Sequence, residues 1–207
     1  MEERTIHKAY KFRLYPNAQQ RAFMEKTFGC CRFVYNHFLA VRIDAFEQKR
    51  GFEALDDYLE ADGDGLTCMI ADEAGHFAAI YDQRPDRRAR DLRLLKDYRP
   101  GVYAAYWHWA EGEGLAKRGV NVPTRFDMSK MLTILKRETL DEEGVAWLNE
   151  ADSVALTYEL QNLDNAFSQF FRRVKGGEGQ GRLPPIQIEK GRSPVLQDLR
   201  EEHEVRL

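Results

Sequence analysis

Residues 154–174 restrict the fold of this chain more than any other stretch. Leu156, Leu160, Leu163, Phe167, Phe170, Phe171 and Val174 recur at the period of an α-helix and fall on one stripe. A helix with such an apolar face draws its stability from the layer that covers it, not from its own propensity. The spacing therefore predicts a packed, helix-dominated fold in which this is the longest helix. Arg172-Arg173-Val174-Lys175 closes it, and Gly176-Gly177 supplies a C-cap. Cations in a last helical turn suit the negative end of the helix dipole, so they have a structural use before any functional one.

Residues 8–42 read KAYKFRLYPNAQQRAFMEKTFGCCRFVYNHFLAVR. Ile6, Tyr10, Phe12 and Leu14 alternate with His7, Lys11 and Arg13, which predicts a strand over residues 5–14 with one basic face. Tyr15-Pro16-Asn17 stops it. Asn17 is a good N-cap, and Gln20 completes a capping box. Helices then fill residues 17–50. Phe23, Thr27 and Phe28 mark a short first helix, which Gly29 is expected to break. Cys31, Val34, Phe38, Val41 and Ala45 form one stripe of a second helix, and Arg32 and Asn36 point the other way.

The net charge of −3 hides strong segregation. Residues 1–50 hold ten Lys/Arg against five Asp/Glu. Residues 51–82 hold nine Asp/Glu and no cation, and residues 83–100 hold seven Lys/Arg against three Asp/Glu. A polyphosphate needs a basic surface, not a basic total, so the mean decides little. The acidic run reads as a solvated helix and loop, with a turn at Asp62-Gly63-Asp64-Gly65. Asp62 and Asp64 lack the further oxygen ligands of a calcium loop. Residues 84–99 form a basic amphipathic helix, whose arginines either grip phosphates or pair with the acidic run. Tyr103, Tyr106, Trp107 and Trp109 are spaced as core aromatics, although rings can also stack bases. Residues 112–123 read as a loop. A short helix starts at Asp127 or Ser129 and runs through Leu135 until residues 141–144 interrupt it.

Two of these blocks carry a resemblance. YKFRLYPNAQQ followed by KTFGCCRFVYNHFLAVR resembles the N-terminal helix-turn-helix region of TnpB (OrfB) proteins. These are insertion-sequence-encoded, RNA-guided DNA nucleases related to type V CRISPR effectors. Trp147-Leu148, and then LQNLDNAFSQFFRRVKGGEGQGRLP over residues 160–184, resembles the same family in the same order. The resemblance implies an α+β fold, mainly helical, with a helical recognition region inserted after the first strand of an incomplete β-barrel. It divides the chain into residues 1–182 and a degenerate barrel segment with a polar tail at 183–207. Within the first part lie strand 5–14, helices 17–50, an unmatched insert 51–127 and helices 128–176. At the barrel segment Pro185, Ile186 and Gln187 depart from the family's basic, aromatic pattern. By the same resemblance Lys8, Lys11, Arg13, Arg32, Asn36, Arg42, Arg172, Arg173 and Lys175 contact phosphates, and Tyr35 stacks on a base. The implied partners are DNA, a guide RNA and a separately encoded nuclease half.

Catalysis is not expected. The family cuts DNA with separated carboxylates that hold two divalent ions, accompanied by a four-cysteine zinc ribbon. Both lie C-terminal to the matched region, and the chain ends at Leu207. Asp198, Glu201, Glu202 and Glu204 crowd one polar tail. Cys30 and Cys31 are adjacent and Cys68 stands alone, so neither a disulfide framework nor a metal site is expected, and a reducing cytoplasm is. The sequence contains no membrane-length apolar run and no signal peptide. The expectation is a truncated or degenerate, nucleic-acid-binding remnant of a TnpB-like transposase or RNA-guided nuclease, lacking the catalytic domain and any cofactor. A stand-alone DNA-binding regulator reading duplex through residues 30–46, or a non-functional gene fragment, are the alternatives.

Overall fold

The computed structural model describes residues 13–62, 65–140, 146–175, 184 and 187. These residues form six α-helices and one 3₁₀ turn, and none of them lies in a strand. The helices are α1 (Ala18–Asp62), α2 (Leu66–Tyr81), α3 (Pro85–Tyr98), α4 (Pro100–Gly112), α5 (Arg125–Glu138) and α6 (Ser153–Lys175). The 3₁₀ turn, Trp147–Glu150, sits between α5 and α6. The mainly helical class expected from the sequence is correct. Arg13 and Leu14, at the end of the expected strand, are irregular. The rest of that strand, and all of the barrel segment but Pro184 and Gln187, lies outside the described residues.

The largest departure is α1. Asn17 caps it as its sequence predicts: the Gln20 amide N–H donates to Asn17 Oδ1 at 2.8 Å, and the Asn17 N–H to Gln20 Oε1 at 3.0 Å. The helix then runs unbroken for 45 residues, straight through Gly29. A glycine inside a helix costs only about 1 kcal/mol relative to alanine. Cys30, Cys31 and Val34, immediately after it, are buried against other helices, and that burial outweighs the glycine. α1 also continues past residue 50, because Phe52 and Leu55 are buried too. At 1.5 Å per residue it is about 67 Å long, so it, and not α6, is the longest helix.

Two cores form on this rod. The first gathers Val34, Phe38, Leu39 and Ile43 of α1 with Met128 and Leu132 of α5, Leu148, and Leu156, Leu160, Leu163 and Phe167 of α6. The stripe expected of residues 154–174 is thus the surface that α6 lays on α1. The second core gathers Phe52 and Leu55 of α1 with Leu66, Phe77 and Ile80 of α2, Leu92 of α3, and Val102–Trp107 of α4.

α4 is the centre of that second half. Pro100 opens it at its first turn, where a missing N–H costs nothing. Tyr103, Tyr106 and Trp107 are buried in an edge-to-face cluster with one another, and Phe77 joins it through Tyr106. Burial pushes the Tyr103 phenol up to about 12, which keeps it neutral. The Trp107 indole rests on the backbone of α1 at Gly51. A Cβ added there would lie 2.0 Å from Trp107 Cε2. The acidic run contributes the end of α1 and all of α2, and its charges are partly paired: Glu73 with Arg99 at 2.9 Å, and Asp56 with Arg118.

Candidate nucleic-acid interface

α6 lies alongside α1 in the same direction, and the contacts between them climb both helices in step. Glu159 meets the level of Asn36, Asp164 that of Arg42, and Phe171 that of Phe46. Asp152 starts α6 by accepting from the Val154 N–H at 2.7 Å. α5 is fixed by a capping box, in which Thr124 and Asp127 exchange hydrogen bonds.

Three of the residues singled out from the sequence lie inside this seam. Tyr35 is buried, and desolvation, followed by the charge of Glu159, raises its pKa. Arg42 is 8% exposed. Its Nη1 donates to Asp164 Oδ1 at 2.9 Å, and its guanidinium lies 4.4 Å over the Phe167 ring. A planar cation suits this place, since it binds a carboxylate at its edge and an aromatic ring at its face. Asn36 closes on a backbone: its Nδ2 donates to the Gln187 carbonyl at 3.0 Å, and the Gln187 N–H donates to its Oδ1 at 2.9 Å. An Asn side chain here does what a neighbouring strand would do, and it ties residue 187 to α1.

The others face outward or fall elsewhere. Arg13 is exposed beside Tyr15, with 5.9 Å from its guanidinium to the ring centroid. Arg32 is half-buried and engaged. Arg172 and Arg173 are exposed in the last turn of α6. Lys175 is the last residue of α6, and its side chain, like Lys8 and Lys11, lies outside the described residues.

Sequence reasoning missed Arg50. Its guanidinium sits 5.4 Å over the Phe46 ring, and Phe46 meets Phe171 edge-on at 5.6 Å. Arg50 therefore stands next to the turn that carries Arg172 and Arg173. Its distance of four residues from Phe46 was a usable signal, hidden because the helix was expected to end there.

Cys30 and Cys31 are buried free thiols. Burial pushes the Cys31 thiol up to about 11 and raises Cys30 as well, so both stay protonated at neutral pH. Among the described residues no group of three or more His, Cys, Asp or Glu could hold a metal ion. No described helix is long and apolar enough to cross a membrane.

Residues 1–51 match the family model of the helix-turn-helix domain of OrfB proteins of the IS605 type. The chain is also 45% identical over 47 residues to a protein of Streptomyces pristinaespiralis named "Putative RNA-guided DNA endonuclease". That match spans 22% of this chain and 12% of the relative. No solved structure matches the chain. The N-terminal region is thus of the TnpB/OrfB type. Within it, residues 18–51 form one continuous helix, whereas the domain's name describes two helices joined by a turn.

Proposed function

We propose that this chain is a nucleic-acid-binding protein of a transposable element, using a TnpB/OrfB-type N-terminal region to hold DNA, with guide RNA as a second ligand. The observation that carries the reading is the helix-turn-helix match over residues 1–51. In this proposal the exposed cations Arg13, Arg172 and Arg173, together with Lys8, Lys11, Arg32 and Lys175, contact phosphates. Tyr35, Asn36 and Arg42 act behind them, holding α6 in register with α1 and so setting where Arg172 and Arg173 stand. The chain contributes binding and not DNA cleavage, and it works in the cytoplasm, with a separately encoded nuclease half as a partner.

Fluorescence anisotropy of labelled duplex DNA and structured RNA, titrated from low to moderate salt, tests this. Each neutralised phosphate contributes about 0.9 to the slope of log K against log salt on duplex DNA. The expected result is binding with a slope of several units. Absent binding, or binding that ignores salt, overturns the reading.

A further inference from the structure

Opposite its core stripe, α6 turns a second stripe to water. Val154, Tyr158, Gln161, Asn165, Ser168 and Arg172 are all exposed and lie within about 40° of one line along the helix. Among the described side chains of α6 no exposed one is acidic, although 34 of the chain's 207 residues are Asp or Glu. The carboxylates of α6 are engaged elsewhere: Asp164 accepts from Arg42 at 2.9 Å, and Glu159 accepts from Gln187 Nε2 at 3.4 Å. A face that only meets water gains from charges of both signs. This one offers amides, hydroxyls, a phenol ring and, at its end, guanidinium groups.

The stripe starts at a groove. About 310 Å³ of space opens between Arg125, the first residue of α5, and Ser153, Val154, Thr157, Tyr158 and Gln161 of α6. Tyr158 is 61% exposed, so its ring adds little to the core. Arg125 is half-buried, and its guanidinium is held 5.4 Å over the Phe126 ring. It forms no ion pair among the described residues. Lys136 Nζ donates to Ser153 Oγ at 2.8 Å and adds a second cation beside the groove. The neighbouring carboxylates serve as helix caps: Asp127 accepts from the Thr124 N–H, and Asp152 from the Val154 N–H. The groove thus combines an aromatic ring, an apolar wall, hydroxyl and amide groups, and a positive charge without a counter-ion. Those are the groups that recognise an unpaired nucleotide: a ring for stacking, polar groups for base edges, and a cation for phosphate. A base inside a duplex is already stacked on its neighbours and cannot use them.

We propose that this groove takes one unpaired base, stacked on Tyr158, and that the single strand carrying it follows the outward stripe of α6 to Arg172 and Arg173. Arg172 lies about 21 Å beyond Tyr158 along the helix axis. The proposal rests on the nucleic-acid reading above and deepens it: the ligand of this face is a single strand, or an unpaired stretch of structured RNA, and not duplex.

The experiment uses the full chain and three end-labelled probes: an oligothymidylate, a fully abasic strand with the same phosphates, and a duplex. Anisotropy gives the affinities, and melting is measured alongside. Y158A should weaken binding of the oligothymidylate about tenfold and leave the duplex within about twofold. Y158F keeps the ring and should bind like wild type. The abasic strand should bind the wild type about tenfold more weakly than the oligothymidylate, and Y158A should bind the two alike. R125Q should lower the salt slope on the single strand by about 0.7. N165D places a negative charge midway along the stripe and should weaken single-strand binding about fivefold. Should Y158A melt early, the wild type's preference for the oligothymidylate over the abasic strand is read in its place. Equal losses in Y158A and Y158F, equal wild-type affinity for the base-bearing and abasic strands, or equal losses of Y158A on duplex and single strand overturn this inference and leave the general reading standing. So does wild-type affinity in every variant, the outcome for a groove that receives a protein instead. No binding of any nucleic acid by the wild type overturns both.

Discussion

Along the first part of α1, α6 shows a single apolar stripe to the helix it touches and leaves its other faces to water. Further along α1, α4 is buried on almost every face, with six consecutive residues, Val102–Trp107, out of solvent. The difference is one of layers. A helix laid on one neighbour needs burial once per turn, and its sequence records that as a period. A helix enclosed by α1, α2 and α3 needs burial all round, and its sequence records only a run of small and aromatic residues. The first half also keeps polar groups in its seam, Arg42 with Asp164 and Asn36 with residue 187. The second is closed by shape, with an indole set against a bare stretch of backbone at Gly51.

The strongest way to break this contrast is at the two apolar contacts. Phe167→Ala removes a ring that is 1% exposed and lies beneath Arg42. It should cost about 3–5 kcal/mol, a fall of roughly 10 °C in Tm by calorimetry. The half that relies on shape should answer to an added atom. Gly51→Ala places a methyl against the Trp107 indole and should cost about 1–3 kcal/mol. Combining it with Trp107→Leu should recover part of that loss, so the double-mutant cycle is non-additive. Additive costs would mean that the indole moves aside freely.

A smaller effect separates charge from shape. The folded-state pKa of Glu47 is raised. Below the unfolded carboxylate value both states are protonated and the group is neutral to folding. As pH rises through the folded pKa, stability is lost, because the unfolded state ionises more readily. Glu47→Gln should therefore stabilise the protein at neutral pH, with the gain disappearing in acid; denaturant melts at both pH values measure it. Asn36→Ala should cost least, about 1 kcal/mol, because its two hydrogen bonds with residue 187 are part-buried and water replaces them in part. An Asn36→Ala variant that melts like wild type would remove the clasp from the account of stability.

Legibility followed the same division. Residues 154–174 announced α6 to within a residue at each end, and Asn17 with Gln20 announced the start of α1. α5 begins at Arg125, two to four residues before the expected Asp127 or Ser129, because Thr124 caps it with an aspartate in place of the usual Glu or Gln. Gly29 misled because propensity is local and the burial of Cys30 and Val34 is not. α4 was legible as core but not as a helix, since its aromatics have no free face. Of the site, the basic end of α6 could be read directly. The inward turn of Arg42 could not, because only the fold brings Asp164 and Phe167 to it across more than a hundred residues.

That separation in sequence sets an order in time. The bond from Arg42 to Asp164 spans 122 residues, and the core around α6 cannot close until α6 has been made. The core around α4 draws on residues between Phe52 and Ala116, a contiguous stretch. A chain synthesised from its N-terminus thus completes the enclosed half first and holds the front of α1 waiting for its cover. Cys30, Cys31, Val34 and Phe38 are exposed to water, or to a chaperone, during that interval. The half outside the matched domain is in this sense the scaffold on which the other is assembled last.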